Sequence, residues 1–168
     1  MTSLYAIALG SNRPHGRHGM PRDVVAAAIG RLEESGLQVK ARSSTRTTPA
    51  MGPAGRAFAN AAVVVASDLD PPALLALLKR TEHAFGRRRG RRWGPRVLDL
   101  DIILWSGGAW RTPGLIVPHP EFRIRRFVLD PLNEAAPDWR DPITGLTVRQ
   151  ILARLRAPRL VDRSAPGS

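Results

Sequence analysis

The chain has 168 residues, 43% of them hydrophobic, which suits one domain with a real core rather than several. It contains no cysteine, so a disulfide framework and any thiolate metal site are excluded. A formal net charge of +12 points to an anionic partner: nucleic acid, a membrane surface or a phosphorylated small molecule. Residues 4–10 read as a buried strand that ends in the turn signal Gly10-Ser11-Asn12. That apolar run is too short to span a membrane and lacks a basic flank, so the chain is expected to be soluble and cytoplasmic. Residues 13–20 are loop by composition. Pro21 suits the first turn of a helix through Glu34, with Val24, Val25, Ala28, Ile29 and Leu32 as its apolar stripe and Gly36 as its stop.

Residues 37–46 alternate weakly and read as an outer strand, followed by a loop with two prolines and two glycines. Residues 58–67 form a third strand. Asp70-Pro71-Pro72 opens a second helix over 71–85, with Gly86 as its stop and a basic loop over 86–96. The fourth strand is 98–105. This β-α-β-β-α-β order is the ferredoxin-like α+β arrangement, a mainly antiparallel sheet with both helices on one face. The other face is left to loops and a C-terminal extension. There a short strand is expected at 115–117, a short helix over 127–135 broken by Pro131, and a last helix capped by Thr147 and reaching Leu155. One domain over 1–157 and a frayed tail over 158–168 complete the reading; no internal repeat is present.

The chemistry concentrates in residues 92–105, RWGPRVLDLDIILW. In a strand, Asp99 and Asp101 leave the same face, roughly 6–7 Å apart, while Leu98, Leu100 and Ile102 face the other way. Two such carboxylates suit Mg²⁺, which takes oxygen ligands and shares itself with substrate phosphates. They could bridge two ions at the spacing of two-metal phosphoryl transfer. Neither a G-x-x-x-x-G-K-[ST] loop nor a G-x-G-x-x-G turn occurs, so phosphate would be held by arginines and metal. Arg87, Arg88, Arg89, Arg91, Arg92 and Arg96 lie within ten residues. Arginine outnumbers lysine 24 to 2, as GC-rich codon usage gives, so only patterned arginines carry weight. Read alone, the acidic pair is a wet edge strand, the basic run a solvated loop, Phe58 and Phe127 core residues, and Asn60 a strand end.

RWGPRVLDLDII resembles the signature of the 6-hydroxymethyl-7,8-dihydropterin pyrophosphokinases of folate biosynthesis. IALGSN at 7–12, SSTRTTPAMGP at 43–53, FANAAV at 58–63, VPH at 117–119 and RIRRF at 123–127 follow in the family's order, over roughly residues 4–155. The resemblance implies a ferredoxin-like fold and Mg²⁺-dependent transfer of pyrophosphate from ATP to the pterin hydroxymethyl oxygen, in line at the β-phosphorus, releasing AMP. It implies that Asp99 and Asp101 hold two Mg²⁺ ions, with Arg87 and Arg96 among the catalytic group. ATP would meet Arg87, Arg89, Trp93, Arg96, Ile102, His119 and Arg125. The pterin would meet Thr48, Pro49, Met51, Phe58, Asn60, Trp93 and Phe127, with the two phenyl rings sandwiching it and Asn60 reading its amide edge. Glu82 matches a position that shapes both sides, against a plain role in a salt bridge.

Three departures from the family pattern stand out. Gly114 and Ile116 occupy places where arginine and threonine are common, so adenosine contacts there are backbone or fall to Arg111. Pro120 stands where an aromatic is usual, and loops 13–20 and 86–92 differ in length. The competing reading is a ferredoxin-like nucleic-acid-binding module, which the charge suits. Against it, no RNP1-like pattern occurs, and two aspartates on a central strand would repel a phosphate backbone. Expected partners are therefore ATP and the pterin, with no nucleic acid and no membrane. The chain is read as a monomer.

Overall fold

A computed structural model describes residues 1–12, 19–48, 57–86 and 97–157. Its principal sheet uses β1 (Ser3–Ser11), β2 (Gln38–Arg42), β3 (Arg46–Thr48), β4 (Phe58–Ser67) and β5 (Asp99–Trp105). The order is β2-β4-β1-β5, with β3 also paired to β4, and every pairing is antiparallel. Helices α1 (Pro21–Glu34) and α2 (Pro71–Gly86) cover one face, as the element order predicts. Val24, Val25, Ala28, Ile29 and Leu32 of α1 are buried there, with Leu74, Leu77 and Leu78 of α2. They pack on Tyr5, Ile7, Leu9, Val63, Val65, Leu100 and Ile102 of the sheet.

The C-terminal third covers the other face. Its opening hairpin of β6 (Trp110–Thr112) and β7 (Leu115–Val117) is the exception, adding Leu115 and Val117 to the helix-side core. A 3-10 turn (Phe122–Ile124), α3 (Arg126–Ala135) and α4 (Val148–Arg156) follow. Phe122, Val128, Leu129, Leu132, Val148, Ile151 and Leu152 form a second core against Ala6, Ala62, Ile103 and Leu104. Ile103 and Leu104 both reach it because the ladder between β1 and β5 slips beside Ala6, so the side-chain alternation of β5 breaks after Asp101 and Ile102. Thr147 caps α4 through its hydroxyl, which accepts from the Gln150 N–H at 3.2 Å, while Gln150 Oε1 accepts the Thr147 N–H at 2.9 Å.

Two sequence expectations need correction. The single strand over 37–46 is two strands, because regular pairing with β4 lapses over 43–45. Ser43 is buried there and takes over part of the ladder: its hydroxyl accepts the Ala62 N–H, and its own N–H donates to the Ala62 carbonyl, both at 2.9 Å. Helix α3 is not broken by Pro131. A proline inside a helix costs about 3 kcal/mol, but burying each of Val128, Leu129 and Leu132 contributes about 1.5–3 kcal/mol, so packing carries the helix through. Strand β6 was not expected, because the residue pattern weakens after Gly107-Gly108.

Candidate active site

The register of the sheet brings the chemistry into rows. Gly10 of β1 pairs with Asn60 on one side and with Asp99 on the other. One step along, Ala8 pairs with Ala62 and with Asp101. The two carboxylates and the carboxamide therefore share the face that the C-terminal third covers, with only alanine and glycine between them. Those small residues leave a floor. A Cβ on Gly10 would lie 3.1 Å from Asn60 Oδ1, so the missing side chain is what lets Asn60 lie across β1.

Over this floor opens a cleft of about 600 Å³ lined by Asn12, Thr48, Phe58, Asn60, Asp99, Asp101, Arg125, Arg126 and Phe127, among others. The size suits a small heteroaromatic ligand. Phe58 and Phe127 do not belong to the core, as their residue type alone suggests. They are 46% and 54% exposed and form walls of the cleft. The Arg125 guanidinium lies 5.8 Å from the centre of the Phe127 ring and is paired with Glu121. Thr48 reaches the same cleft because it pairs with Phe58 between β3 and β4.

A second cleft, about 610 Å³, lies along the outer edge of β5. Asp101, Ile102 and His119 line it, together with Lys79 of α2 and Arg111, Gly114 and Ile116 of the β6–β7 hairpin. Asp101 is thus common to both clefts. His119 is fixed against β5 by its N–H, which donates to the Ile103 carbonyl at 3.0 Å. Its Nδ1 accepts the Glu121 N–H at 3.2 Å, so the neutral ring carries its proton on Nε2. Glu82 lies on the helical side of β5. Its Oε2 accepts the Leu100 N–H at 3.2 Å and its Oε1 pairs with Lys79 at 3.0 Å. It thereby satisfies an edge-strand donor between the two aspartates.

Pro49, Met51, Arg87, Arg89, Trp93 and Arg96 lie outside the described residues. The other nine sequence-chosen site residues fall in one or both clefts. Arg126 and Lys79 were missed. Arg126 stands beside a chosen arginine with no spacing to mark it, and Lys79 reads as a solvated helix residue.

Asp141 holds the entry to α3. This buried carboxylate accepts Arg123 Nε at 2.5 Å and Nη2 at 2.9 Å, the Ile143 N–H at 2.9 Å and the Thr144 hydroxyl at 2.8 Å. Burial alone would raise its pKa, but hydrogen bonds from Arg123, Ile143 and Thr144 together bring it below the ordinary aspartate value.

The acidic pair fits Mg²⁺ on its donor chemistry. Both side chains supply hard oxygen, both open to a solvent cleft, and among the described residues no third acidic or histidine ligand completes a cage. An ion that takes its remaining ligands from phosphate and water needs no such cage.

A family model for 7,8-dihydro-6-hydroxymethylpterin-pyrophosphokinase matches residues 6–137. The chain belongs to this family. It is a pyrophosphokinase of folate synthesis. The 2-amino-4-hydroxy-6-hydroxymethyldihydropteridine pyrophosphokinase of Methylorubrum extorquens is 41% identical over 157 residues, which cover 92% of this chain and 94% of that protein. The enzyme of the same name from a Synechocystis strain is 39% identical over 141 residues, 83% and 72% of the two chains. Among solved structures, the HPPK-DHPS protein of Plasmodium falciparum shares the fold at a TM-score of 0.67 and 13% identity, over 92% of this chain. This chain spans 45% of that longer one. Among the described residues, no helix is long and apolar enough to cross a membrane.

Proposed function

We propose that the pyrophosphokinase reaction takes place where the two clefts meet. The observation that carries this is the position of Asp101, which lines both clefts and shares a strand face with Asp99. The hydroxymethyl-dihydropterin stacks between Phe58 and Phe127, and Asn60 offers its amide edge a donor and an acceptor together. Thr48 lines that side, and the family resemblance assigns Pro49 and Met51 to the same substrate. ATP lies across Asp101 toward Ile102 and His119. Arg125 holds its phosphates, and the family resemblance assigns Arg87, Arg89 and Arg96 to the same task and Trp93 to both substrates. His119 donates to a phosphate oxygen through Nε2–H. Arg111 and Lys79 supply the cations on the adenosine side, where Gly114 and Ile116 offer no polar side chain.

Asp99 and Asp101 would hold two Mg²⁺ ions, which supply charge neutralisation and acidify a coordinated hydroxyl. The residues of the chain orient the reactants. The hydroxymethyl oxygen attacks the β-phosphorus in line, the bond from the β-phosphorus to the α-side bridging oxygen breaks, AMP leaves with that oxygen, and the hydroxyl proton passes to solvent. Positioning and electrostatics provide the rate, so no side chain is assigned as a general base. We further read the enzyme as a cytoplasmic monomer, which sedimentation of the purified chain and fractionation of its cells check.

Calorimetry with 6-hydroxymethylpterin, Mg²⁺ and a non-hydrolysable ATP analogue tests the cleft assignment. Phe127→Ala should weaken pterin binding by about 0.5–1.5 kcal/mol, or roughly 2- to 13-fold. The affinity for the nucleotide analogue alone should be unchanged. Equal pterin affinity in the variant rules out the sandwich.

A further inference from the structure

The pterin cleft is walled by α3, β4 and β3; α3 packs on β4 through the second core, whereas β3 puts no residue into either core. Phe127 stands on the first turn of α3, whose buried Val128, Leu129 and Leu132 fix it to the second core. Phe58 and Thr48 stand on the opposite wall, where β3 meets β4. Strand β3 is three residues long and all three are exposed, so it has no core anchor of its own.

Glu134 bridges this gap. It follows Phe127 by seven residues, which places the two on the same side of α3 about 10 Å apart along the axis. Its Oε1 accepts the Ser44 N–H at 2.9 Å, and its Oε2 accepts the Ser44 hydroxyl at 3.0 Å and Arg46 Nη2 at 3.4 Å. Ser44 lies just before β3, and Arg46 pairs with Asn60 while Thr48 pairs with Phe58. One carboxylate therefore ties the helix that carries Phe127 to β3, which carries Thr48 and pairs with the start of β4 at Phe58. The hydrogen bond from the Ser44 amide leads the contacts that keep its pKa below the usual glutamate value.

We propose that Glu134 is a positioning residue for the pterin, fixing the β3 wall of the cleft relative to Phe127. The inference rests on the reading of this cleft as the pterin site. Steady-state kinetics of Glu134→Ala, Glu134→Gln and Ser44→Ala test it, with the pterin and MgATP varied separately. Glu134→Ala should raise the pterin KM roughly 10-fold, with kcat and the ATP KM within about 3-fold of wild type. Glu134→Gln keeps an oxygen for the Ser44 amide and should recover most of the loss. Ser44→Ala, which removes the hydroxyl and keeps the amide, should fall between. The urea midpoint should barely move, since the carboxylate is exposed and the core beneath α3 is untouched.

A wild type that turns over the pterin beside a Glu134→Ala variant with an unchanged pterin KM overturns this inference alone. So does a variant in which the ATP KM and the urea midpoint change in step with the pterin KM. A wild type that does not bind the pterin overturns the cleft assignment and this inference with it.

Discussion

Asp141→Asn tests whether the buried clamp at the entry to α3 is needed for the fold. The wild-type carboxylate is 0% exposed and accepts four hydrogen bonds, two of them from Arg123. Asparagine keeps one oxygen and turns the other position into a donor that faces the Arg123 guanidinium. Breaking a buried pair costs roughly 3–5 kcal/mol. Arg123 is 27% exposed and can recover some hydration, so the cost falls below that range, to about 2–3 kcal/mol. For a domain of this size that lowers Tm by roughly 4–12 °C. Urea unfolding with an unchanged m-value measures it directly. The pH dependence gives a second reading. The folded pKa of Asp141 is lowered, so its contribution is present above the unfolded pKa of about 3.9 and is lost as pH falls through the folded value. The variant should therefore lose part of the acid limb of the stability curve. A change below about 0.5 kcal/mol, with the acid limb intact, refutes the clamp.

Gly10→Ala puts a methyl group 3.1 Å from Asn60 Oδ1, and that side chain can swing aside. The fold should survive while the pterin KM rises roughly 3- to 10-fold, and an unchanged KM removes Asn60 from recognition. Tyr5 donates to the Leu69 carbonyl at 2.5 Å, and burial, then the charge of Asp70, push its pKa up to about 12. Its contribution is intact below the unfolded value of 10.0 and is lost as pH rises toward about 12. Tyr5→Phe should flatten the alkaline loss of stability in urea titrations, and a loss of unchanged steepness contradicts that origin.

Much of the fold was legible because its signals are local. Pro21, Gly36, Pro71 and Gly86 bound the first two helices in sequence and in structure, and the apolar run 58–67 is β4 to the residue. The split at Ser43 was not legible, because it depends on a serine completing a ladder with Ala62, nineteen residues away. Pro131 was misread because a local cost was set against no packing term. The spacing of Asp99 and Asp101 shows that they share a face. Which face, and that Gly10 and Asn60 share the row, needs the register of three strands. Phe58 and Phe127 look like core to any rule based on burial alone, and only the family motifs and then the geometry place them at a cleft. Glu134 had no signal, since its partners lie 88 and 90 residues away.

The most direct test of the account follows the nucleotide product when the protein is incubated with MgATP and 6-hydroxymethyl-7,8-dihydropterin. AMP should form in step with the pyrophosphorylated pterin. Asp99→Asn and Asp101→Asn should each lower turnover about 100-fold or more while keeping wild-type urea midpoints. ADP as the product, or near-normal turnover in both variants, would contradict transfer at the junction of the two clefts.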